Sequence, residues 1–250
     1  TLSLHPALTM ADRVVALSEW SADRLSRLGN VSREKIVVLP SGTDCRLFRP
    51  MDAAQCRRRL GLDDGYYYIG FVGTFLEHQG LDTLIEAAPR VLEQSNEVRF
   101  LLVGSGPAEK PLMRKVGAMG LSRFFIFTGH LPYREVPAAI GAMDLCLAPH
   151  RRQSNQASPV KIFDYLGCGK PVIASDIEVV REIAGVSGAV LRVPPEDPQA
   201  LADSILQLKA DPRRCRQMSQ CGRNHAVSKF DRKTLIEGFL HQLNTAAGFR

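Results

Sequence analysis

The sequence lacks the features of several protein classes. No run approaches the ~18 uncharged apolar residues of a membrane-spanning helix, so no transmembrane segment is predicted. The N-terminal residues lack the basic and apolar regions of a secretory signal. The first residue is Thr1 rather than Met, so we expect a fragment of a longer protein. With 45% hydrophobic and 23% charged residues, the 250-residue chain has the composition of a globular protein, which excludes intrinsic disorder.

The cysteines lack the spacing of a metal or redox site. None stands in a Cys-x-x-Cys pair or near a histidine at ligand spacing, which favours reduced thiols in a cytosolic protein. The six are Cys45, Cys56, Cys146, Cys168, Cys215 and Cys221. The sequence also contains no Asp-x-Asp motif and no histidine cluster, so neither a metal ion nor another cofactor is expected.

The net charge of +6 is confined to one segment. Residues 213–233 contain seven basic side chains and one acidic side chain, so the other 229 residues are neutral, with 25 charges of each sign. Proteins that bind nucleic acid carry positive charge across a face or in a motif, so no nucleic-acid partner is expected. Two interpretations stay open: a solvated helical surface, or a patch that contacts an anionic membrane.

Short apolar segments alternate with helical patterns along most of the chain. Several, such as residues 100–103, are apolar on both faces, which is typical of parallel strands covered by helices. The predicted strands are Arg13–Leu17, Lys35–Leu39, Tyr67–Val72, Val98–Val103, Phe124–Phe127, Leu145–Ala148, Pro171–Ala174 and Ala189–Val193. Helical spacing begins after Gly80 and recurs near 134–143, 160–166, 178–184, 198–208 and 232–243. The sequence predicts an α/β fold, with a Rossmann-like doubly wound parallel sheet and a helical C-terminal extension.

Several segments stand where such a sheet binds ligands, at the carboxyl ends of its strands. Gly73 lies between a strand and a helix. A glycine there either allows backbone N–H groups to bind an anion or is needed only for the turn. Gly104–Gly106 starts like a dinucleotide fingerprint, but Glu109 holds the third glycine position, so a structural turn is favoured. His130 and the segment His150–Arg152 also follow strands, either as site residues or as ordinary surface residues.

Residues 156–171 contain the most informative pattern. Ser158 is predicted to cap a helix with Pro159 at its first position, and Val160 is expected to face the sheet. Asp164 lies among apolar neighbours, so its carboxylate must be solvated, paired or hydrogen-bonded. A ribose diol would match it, and an exposed helical aspartate is the simpler alternative.

Taken in order, these segments resemble the family 4 retaining glycosyltransferases of the GT-B fold. Residues 11–18 resemble the pattern AD-x-V-x-x-x-S, and residues 35–50 resemble the hinge K-I-x-V-I-P-N-G-V-D…F-x-P. Further matches lie at 72–87, 102–107, 127–129, 142–149 and 158–175.

In this family, two Rossmann-like domains face each other across a cleft. The resemblance implies that residues 1–48 are the end of the acceptor-side domain with the hinge. Residues 49–231 would form the domain that binds the nucleotide-sugar donor, and residues 232–250 the crossover helix and tail.

The resemblance also implies roles for residues in the pattern at 156–164. The family's E-x7-E pair falls on Gln156 and Asp164. Asp164 would hold the ribose hydroxyls on a shorter stem, and Gln156 would hydrogen-bond the donor sugar without a charge. The backbone N–H groups of Val160 and Lys161, which follow Ser158 and Pro159, match those that cradle the distal phosphate.

Two cations of the family pattern are absent. The diphosphate-binding Arg and Lys fall on Thr74 and Gln79, next to Gly73. Lys161, Arg151 and Arg152 are the candidates to replace them, and we expect Lys161 to do so because it lies on the helix turn that faces the phosphates. After Gly129, residues His130 and Leu131 match those whose backbone contacts the base.

The resemblance implies a retaining hexosyltransferase that moves a sugar from a nucleoside-diphosphate sugar to a glycan or lipid acceptor. Gln156 and Lys161 are its expected catalytic residues. The isolated chain is expected to be inactive, and the location cytoplasmic, with peripheral membrane contact through 213–233 as an option. The alternatives are a catalytically impaired module that binds nucleotide sugars, supported by Thr74, Gln79 and Gln156, and a sugar-nucleotide epimerase of the same fold.

Overall fold

The computed structural model describes residues 7–8, 10–152, 159–185 and 188–246. Its main feature is a six-stranded parallel sheet with the strand order β5-β4-β3-β6-β7-β8, and β1 and β2 form a separate parallel pair. The strands are β1 (Val14–Ala16), β2 (Ile36–Val38), β3 (Tyr67–Val72), β4 (Val98–Val103), β5 (Phe125–Phe127), β6 (Leu145–Ala148), β7 (Val172–Ser175) and β8 (Val190–Val193). The predicted α/β fold with a parallel sheet is confirmed.

Helices connect these strands and cover the sheet. They are α1 (Glu19–Gly29), α2 (Ala53–Arg59), α3 (Leu81–Gln94), α4 (Glu109–Ala118), α5 (Val136–Ala142), α6 (Val160–Gly167), α7 (Glu178–Ala184), α8 (Pro198–Lys209), α9 (Pro212–Lys229) and α10 (Arg232–Ala246). All eight predicted strands are present to within two residues at each end. The helices α1, α2, α4 and α9 lie outside the segments of helical spacing given above, because each has few buried apolar residues and therefore a weak helical pattern.

Each sheet face carries its own apolar core, because successive residues of a strand point to opposite faces. In β4, Phe100 and Leu102 pack with α3, α4 and α8, whereas Leu101 and Val103 pack with α5, α6 and α7. Both faces of the central strands are therefore buried, as their continuous apolar runs predicted.

The chain reverses its direction of growth across the sheet at one point. From β3 it adds β4 and β5 on one side, and it then returns to place β6 on the other side of β3. The register of β3 with β6 covers only Ile69 to Leu145 and Gly70 to Cys146, so the two strands separate towards their carboxyl ends. In open α/β sheets, such a switch point opens a crevice that binds ligands.

The unit β1–α1–β2 contacts the larger sheet through α7. The Glu182 carboxylate accepts hydrogen bonds from the backbone N–H groups of Glu19 at 2.9 Å and Trp20 at 2.7 Å. An anionic group at the first turn of a helix satisfies free N–H groups and the positive end of the helix dipole. Glu182 therefore fastens the N-terminus of α1 to the domain that contains the six-stranded sheet.

The basic stretch 213–233 does not form a uniformly solvated surface. Arg223 on α9 donates to the carbonyl oxygens of Cys45, Phe48 and Gly167 at 2.7–3.0 Å, and it thereby joins the linker after β2 to the end of α6. The exposed cations of the stretch are Arg213, Arg216, Lys229 and Lys233.

The loops that follow β3 and β6 touch at Gly80. A Cβ atom at Gly80 would lie 1.8 Å from the carbonyl oxygen of Pro149, and the residue has a φ of +67°. The N–H of Arg151 also donates to the carbonyl of His78 at 3.0 Å. The crevice between β3 and β6 is therefore framed by two loops in direct backbone contact.

This contact predicts unequal effects of two glycine substitutions. Gly61 has the same φ of +67° as Gly80, but no atom lies within 4 Å of its Cβ position. Gly61→Ala is expected to lower the free energy of unfolding by about 1 kcal/mol through backbone strain alone. Gly80→Ala should cost a further ~1–3 kcal/mol because the loops must move apart. Urea unfolding measures both, and equal losses would contradict the packing role of Gly80.

Candidate functional site

Helix α6 is fixed above the crevice by the hydroxyl of Tyr165. This hydroxyl accepts from the backbone N–H of Val72 at 2.7 Å and donates to the carbonyl of Leu147 at 3.3 Å. The side chain is fully buried, so a polar tip of this kind requires partners. Because Val72 ends β3 and Leu147 lies in β6, Tyr165 occupies the gap where the two strands separate.

The first turn of α6 places Lys161 at the end of β3. The structure begins this helix at Val160 with Pro159 in the cap position, one residue later than the sequence predicted. Val160 is 39% exposed, so the expectation that it faces the sheet is wrong. The N–H groups of Val160 and Lys161 have no acceptor within the helix, whereas the N–H of Ile162 donates to the carbonyl of Pro159 at 3.0 Å.

Lys161 lies across the end of β3 because Gly73 has no side chain. A Cβ atom at Gly73 would lie 3.2 Å from Cε of Lys161. The ammonium group lies 4.9 Å from the ring centroid of Phe71, donates to Oε1 of Gln79 and lies 3.5 Å from Nε2 of His150. The predicted site residues Gly73, Gln79 and Lys161 are thus brought together.

Among the described residues, the groups that contact the Lys161 amine are neutral. Burial lowers the pKa of Lys161 to about 7, and no acidic group in the described part of the chain offsets this effect. His150 is 1% exposed, and burial together with the Lys161 charge lowers its pKa to about 3. His150 is therefore neutral at physiological pH. A buried ammonium without a counter-ion suits an anionic ligand.

The two positions that lack the family's cations have different surroundings. Thr74 is exposed, whereas Gln79 is 7% exposed and accepts from Lys161. The Gln79 amide nitrogen lies 2.9 Å from Nε2 of His78, whose pKa is lowered by burial and by Lys161. Gln79 consequently holds the Lys161 ammonium in place through an oxygen acceptor.

Arg151 is already engaged in two ion pairs. Its guanidinium binds Glu77 at 2.5 Å and Asp82 at 2.7 Å, which raises the pKa of Arg151. Both carboxylates would have to be displaced before this side chain bound a phosphate. Arg152 is exposed to solvent. Of the three candidate replacement cations, Lys161 is therefore the one that is enclosed by neutral groups among the described residues.

Asp164 lies one turn after Lys161 and faces the hinge segment. Its Oδ1 accepts from the Thr43 hydroxyl at 2.6 Å, so the alternative of a simple exposed aspartate is wrong. Burial raises the pKa of the Asp164 carboxyl to about 7, although the Thr43 hydrogen bond and the Arg232 charge act in the opposite direction. Thr43 is fully buried, and no pattern in the sequence marks it as a site residue.

The remaining predicted residues lie apart from this cluster. His130 is exposed and Leu131 partly buried, and both follow β5, two strands from β3 in the sheet. Gln156 and Ser158 lie outside the described residues. Within the described ranges, no three His, Cys, Asp or Glu side chains are arranged to hold a metal ion. In the same part of the chain, no helix is both long and apolar enough to cross a membrane.

The chain is similar to proteins of one known family. Residues 66–211 match the family described as Glycosyl transferases group 1. Over 245 residues, the chain is 29% identical to a D-inositol 3-phosphate glycosyltransferase of Segniliparus rotundus, a match that covers 94% of this chain and 53% of that protein. It is 28% identical to a GDP-mannose-dependent monoacylated alpha-(1-6)-phosphatidylinositol monomannoside mannosyltransferase of Corynebacterium glutamicum, with 91% of this chain and 61% of that protein covered.

A solved structure has the same fold. The sucrose-phosphate synthase of Thermosynechococcus elongatus is 26% identical and superposes with a TM-score of 0.83 over 97% of this chain and 61% of that chain. The six-stranded parallel sheet with its flanking helices thus matches a GT-B glycosyltransferase structure. The chain spans between half and two thirds of the length of these proteins.

The enclosure of Lys161 predicts that its removal stabilises the fold. Its folded-state pKa lies below the unfolded value, so Lys161 opposes folding increasingly as the pH falls from about 10 to about 7. Lys161→Met is expected to raise the melting temperature at pH 7 by about 2–4 °C, the shift that ~1 kcal/mol causes in a chain of this size. The gain should shrink towards pH 10.

Thermal unfolding followed by circular dichroism measures this gain. The control is Lys110→Met on α4, which removes an exposed lysine and should leave the melting temperature unchanged. A lower melting temperature for Lys161→Met at pH 7 would show that the lysine stabilises the fold, contrary to its enclosure in neutral groups.

Proposed function

Because the chain belongs to the glycosyl transferases group 1 family, we propose that it forms the donor-binding side of a family 4 retaining glycosyltransferase. The proposed reaction moves a sugar from a nucleoside-diphosphate sugar to a glycan or lipid acceptor. The observation that carries the proposal is Lys161, which lies at the switch point of the sheet with no carboxylate partner among the described residues.

The diphosphate is the proposed counter-ion of Lys161. The ammonium group lies on the first turn of α6, so its charge adds to the free N–H groups and the positive dipole end of that helix. Gly73 leaves the space in which the Lys161 side chain crosses the end of β3. In this proposal, Lys161 provides the positive charge that the family's missing cations at Thr74 and Gln79 would otherwise provide.

The remainder of the donor would extend along the carboxyl ends of the strands. Asp164 is proposed to accept hydrogen bonds from the ribose hydroxyls, and the backbone of His130 and Leu131 to contact the base. A retaining transfer needs stabilisation of an oxocarbenium-like sugar and of the departing diphosphate. Protonated Lys161 would neutralise the departing diphosphate, and Gln156 is proposed to orient the sugar. The proposal includes no metal ion.

The acceptor-binding side of the protein is proposed by analogy with longer relatives. The relatives extend well beyond the matched region, and their names include both inositol phosphate and GDP-mannose chemistry. The proposal leaves the nucleotide base, the sugar and the acceptor unspecified. It keeps the domain boundaries after residues 48 and 231. We also propose a cytoplasmic location, and the exposed cations of α9 and the start of α10 support peripheral contact with an anionic membrane.

Nucleotide binding tests the proposal directly. Wild type is expected to gain thermal stability with UDP, GDP or ADP, because a ligand at 100 times its Kd stabilises by about 2.7 kcal/mol. Lys161→Met should weaken binding of that nucleoside diphosphate at least tenfold, since it removes the only cation proposed to contact the diphosphate. Lys110→Met is the matched control.

Two results would contradict the proposal. Absence of binding to all three nucleotides would overturn the donor site, and unchanged affinity in Lys161→Met would overturn the role of the lysine. Nucleotide binding without sugar transfer by the full-length protein would favour a binding module over an enzyme.

The pH dependence of binding should be bell-shaped with a maximum near pH 7. Asp164 is proposed to bind in its ionised form, so affinity should rise as the pH rises through about 7. Lys161 is proposed to bind in its protonated form, so affinity should fall as the pH rises further. Calorimetric titration should show that Asp164→Asn reduces the acidic limb to the part caused by the ligand's own phosphate, and that Lys161→Met removes the alkaline limb.

The ligand's own phosphate ionisation is common to all three proteins, so the comparison between their profiles isolates the two side chains. Identical profiles for wild type and both variants would rule out titration of Asp164 and Lys161 in the ligand-binding step.

A further inference from the structure

Two positions where this chain differs from the family pattern are in direct contact. The hinge pattern K-I-x-V-I-P-N-G-V-D has Val at the position of Thr43, and the E-x7-E pattern has Glu at the position of Asp164. The Thr43 hydroxyl donates to Oδ1 of Asp164 at 2.6 Å. The shorter acidic side chain is therefore accompanied by a hydroxyl donor that a valine would not supply.

The hydroxyl of Thr43 is held in place by its backbone. The N–H of Thr43 donates to the carbonyl of Phe230 at 2.9 Å, and its carbonyl accepts from the N–H of Arg232 at 2.8 Å. The side chain is 0% exposed. The junction between α9 and α10 thus fixes the position of Thr43. Through its hydroxyl, Thr43 in turn fixes the orientation of the Asp164 carboxylate.

The geometry leaves the second oxygen of Asp164 available. Thr43 bonds Oδ1, and the described residues provide no hydrogen-bond donor to Oδ2. A carboxylate accepts several hydrogen bonds, and it recognises a diol well only when its plane is oriented towards the two hydroxyls. An aspartate side chain rotates freely about χ2 unless a partner fixes it.

We propose that Thr43 is a positioning residue for donor binding: its hydroxyl orients Asp164 from the hinge so that the free carboxylate oxygen accepts the ribose hydroxyls. This inference rests on the proposed function and adds a residue outside the donor domain's own sheet and helices. Recognition of the ribose then depends on the contact between the hinge segment and the α9–α10 junction.

The test compares ligands with and without ribose hydroxyls. Calorimetric titration measures the affinity of wild type and Thr43→Val for UDP, GDP and ADP and for their 2′,3′-dideoxy forms. Thr43→Val should lower the affinity for the nucleotide that wild type binds by about tenfold. This change corresponds to ~1.4 kcal/mol, which is typical of a hydrogen bond to a charged group. The dideoxy form should bind both proteins equally.

Two further variants make the result interpretable. Thr43→Ser keeps the hydroxyl and should retain most of the affinity of wild type. Thr43→Ala removes the hydroxyl without a β-branched side chain, and it replaces Thr43→Val if that variant does not fold.

The outcomes separate this inference from the function on which it rests. An equal loss of affinity for the ribose and dideoxy nucleotides would show that Thr43 has a merely structural role. Unchanged affinity for the ribose nucleotide in both Thr43→Val and Thr43→Ala would show that Thr43 has no role in binding. Either result overturns this inference and leaves the proposed function standing. Failure of wild type to bind all three nucleotides overturns the proposed function, and the inference with it.

Discussion

The separation of β3 from β6 is the constraint on which the candidate site depends. The two strands pair over only two residues, and beyond that point their ladder groups need another partner. The Tyr165 hydroxyl supplies it by bonding the backbone of both strands. Because Tyr165 belongs to α6, the same bonds set the position of that helix. They thereby place Lys161, one turn earlier, at the end of β3 and Asp164, the preceding residue, beside the hinge segment.

The site contains two ionisable groups whose burial opposes their charged states. Burial brings the pKa of Lys161 down and that of Asp164 up, and both values are about 7. Neither group is the counter-ion of the other: Lys161 bonds Gln79, and Asp164 bonds Thr43. A cation and a carboxylate held apart in this way match a ligand with an anionic part and a hydroxyl-bearing part. Burying the charged forms of these two groups lowers the stability of the fold, as is common for groups kept for function.

Much of the scaffold could be predicted because its signals are local. Continuous apolar runs such as those of β3 and β4 identify buried parallel strands, and the spacing after Gly80 identifies α3. Lys161 stays a prediction as the cation that replaces those of the family, and the structure shows only that Arg151 is paired with Glu77 and Asp82. Thr43 was missed because its partner is 121 residues away and no spacing rule joins them.

The sequence by itself determined the strands, most helices and the presence of an acid and a base on one short helix, because these follow from the period of apolar residues along the chain. Only the tertiary structure decided what those groups contact. Gln79, Thr43 and Tyr165 come from different segments, and their hydrogen bonds form when the sheet brings the ends of β3 and β6 beside α6. The pKa values of Lys161 and Asp164 follow from that burial, which no local pattern encodes.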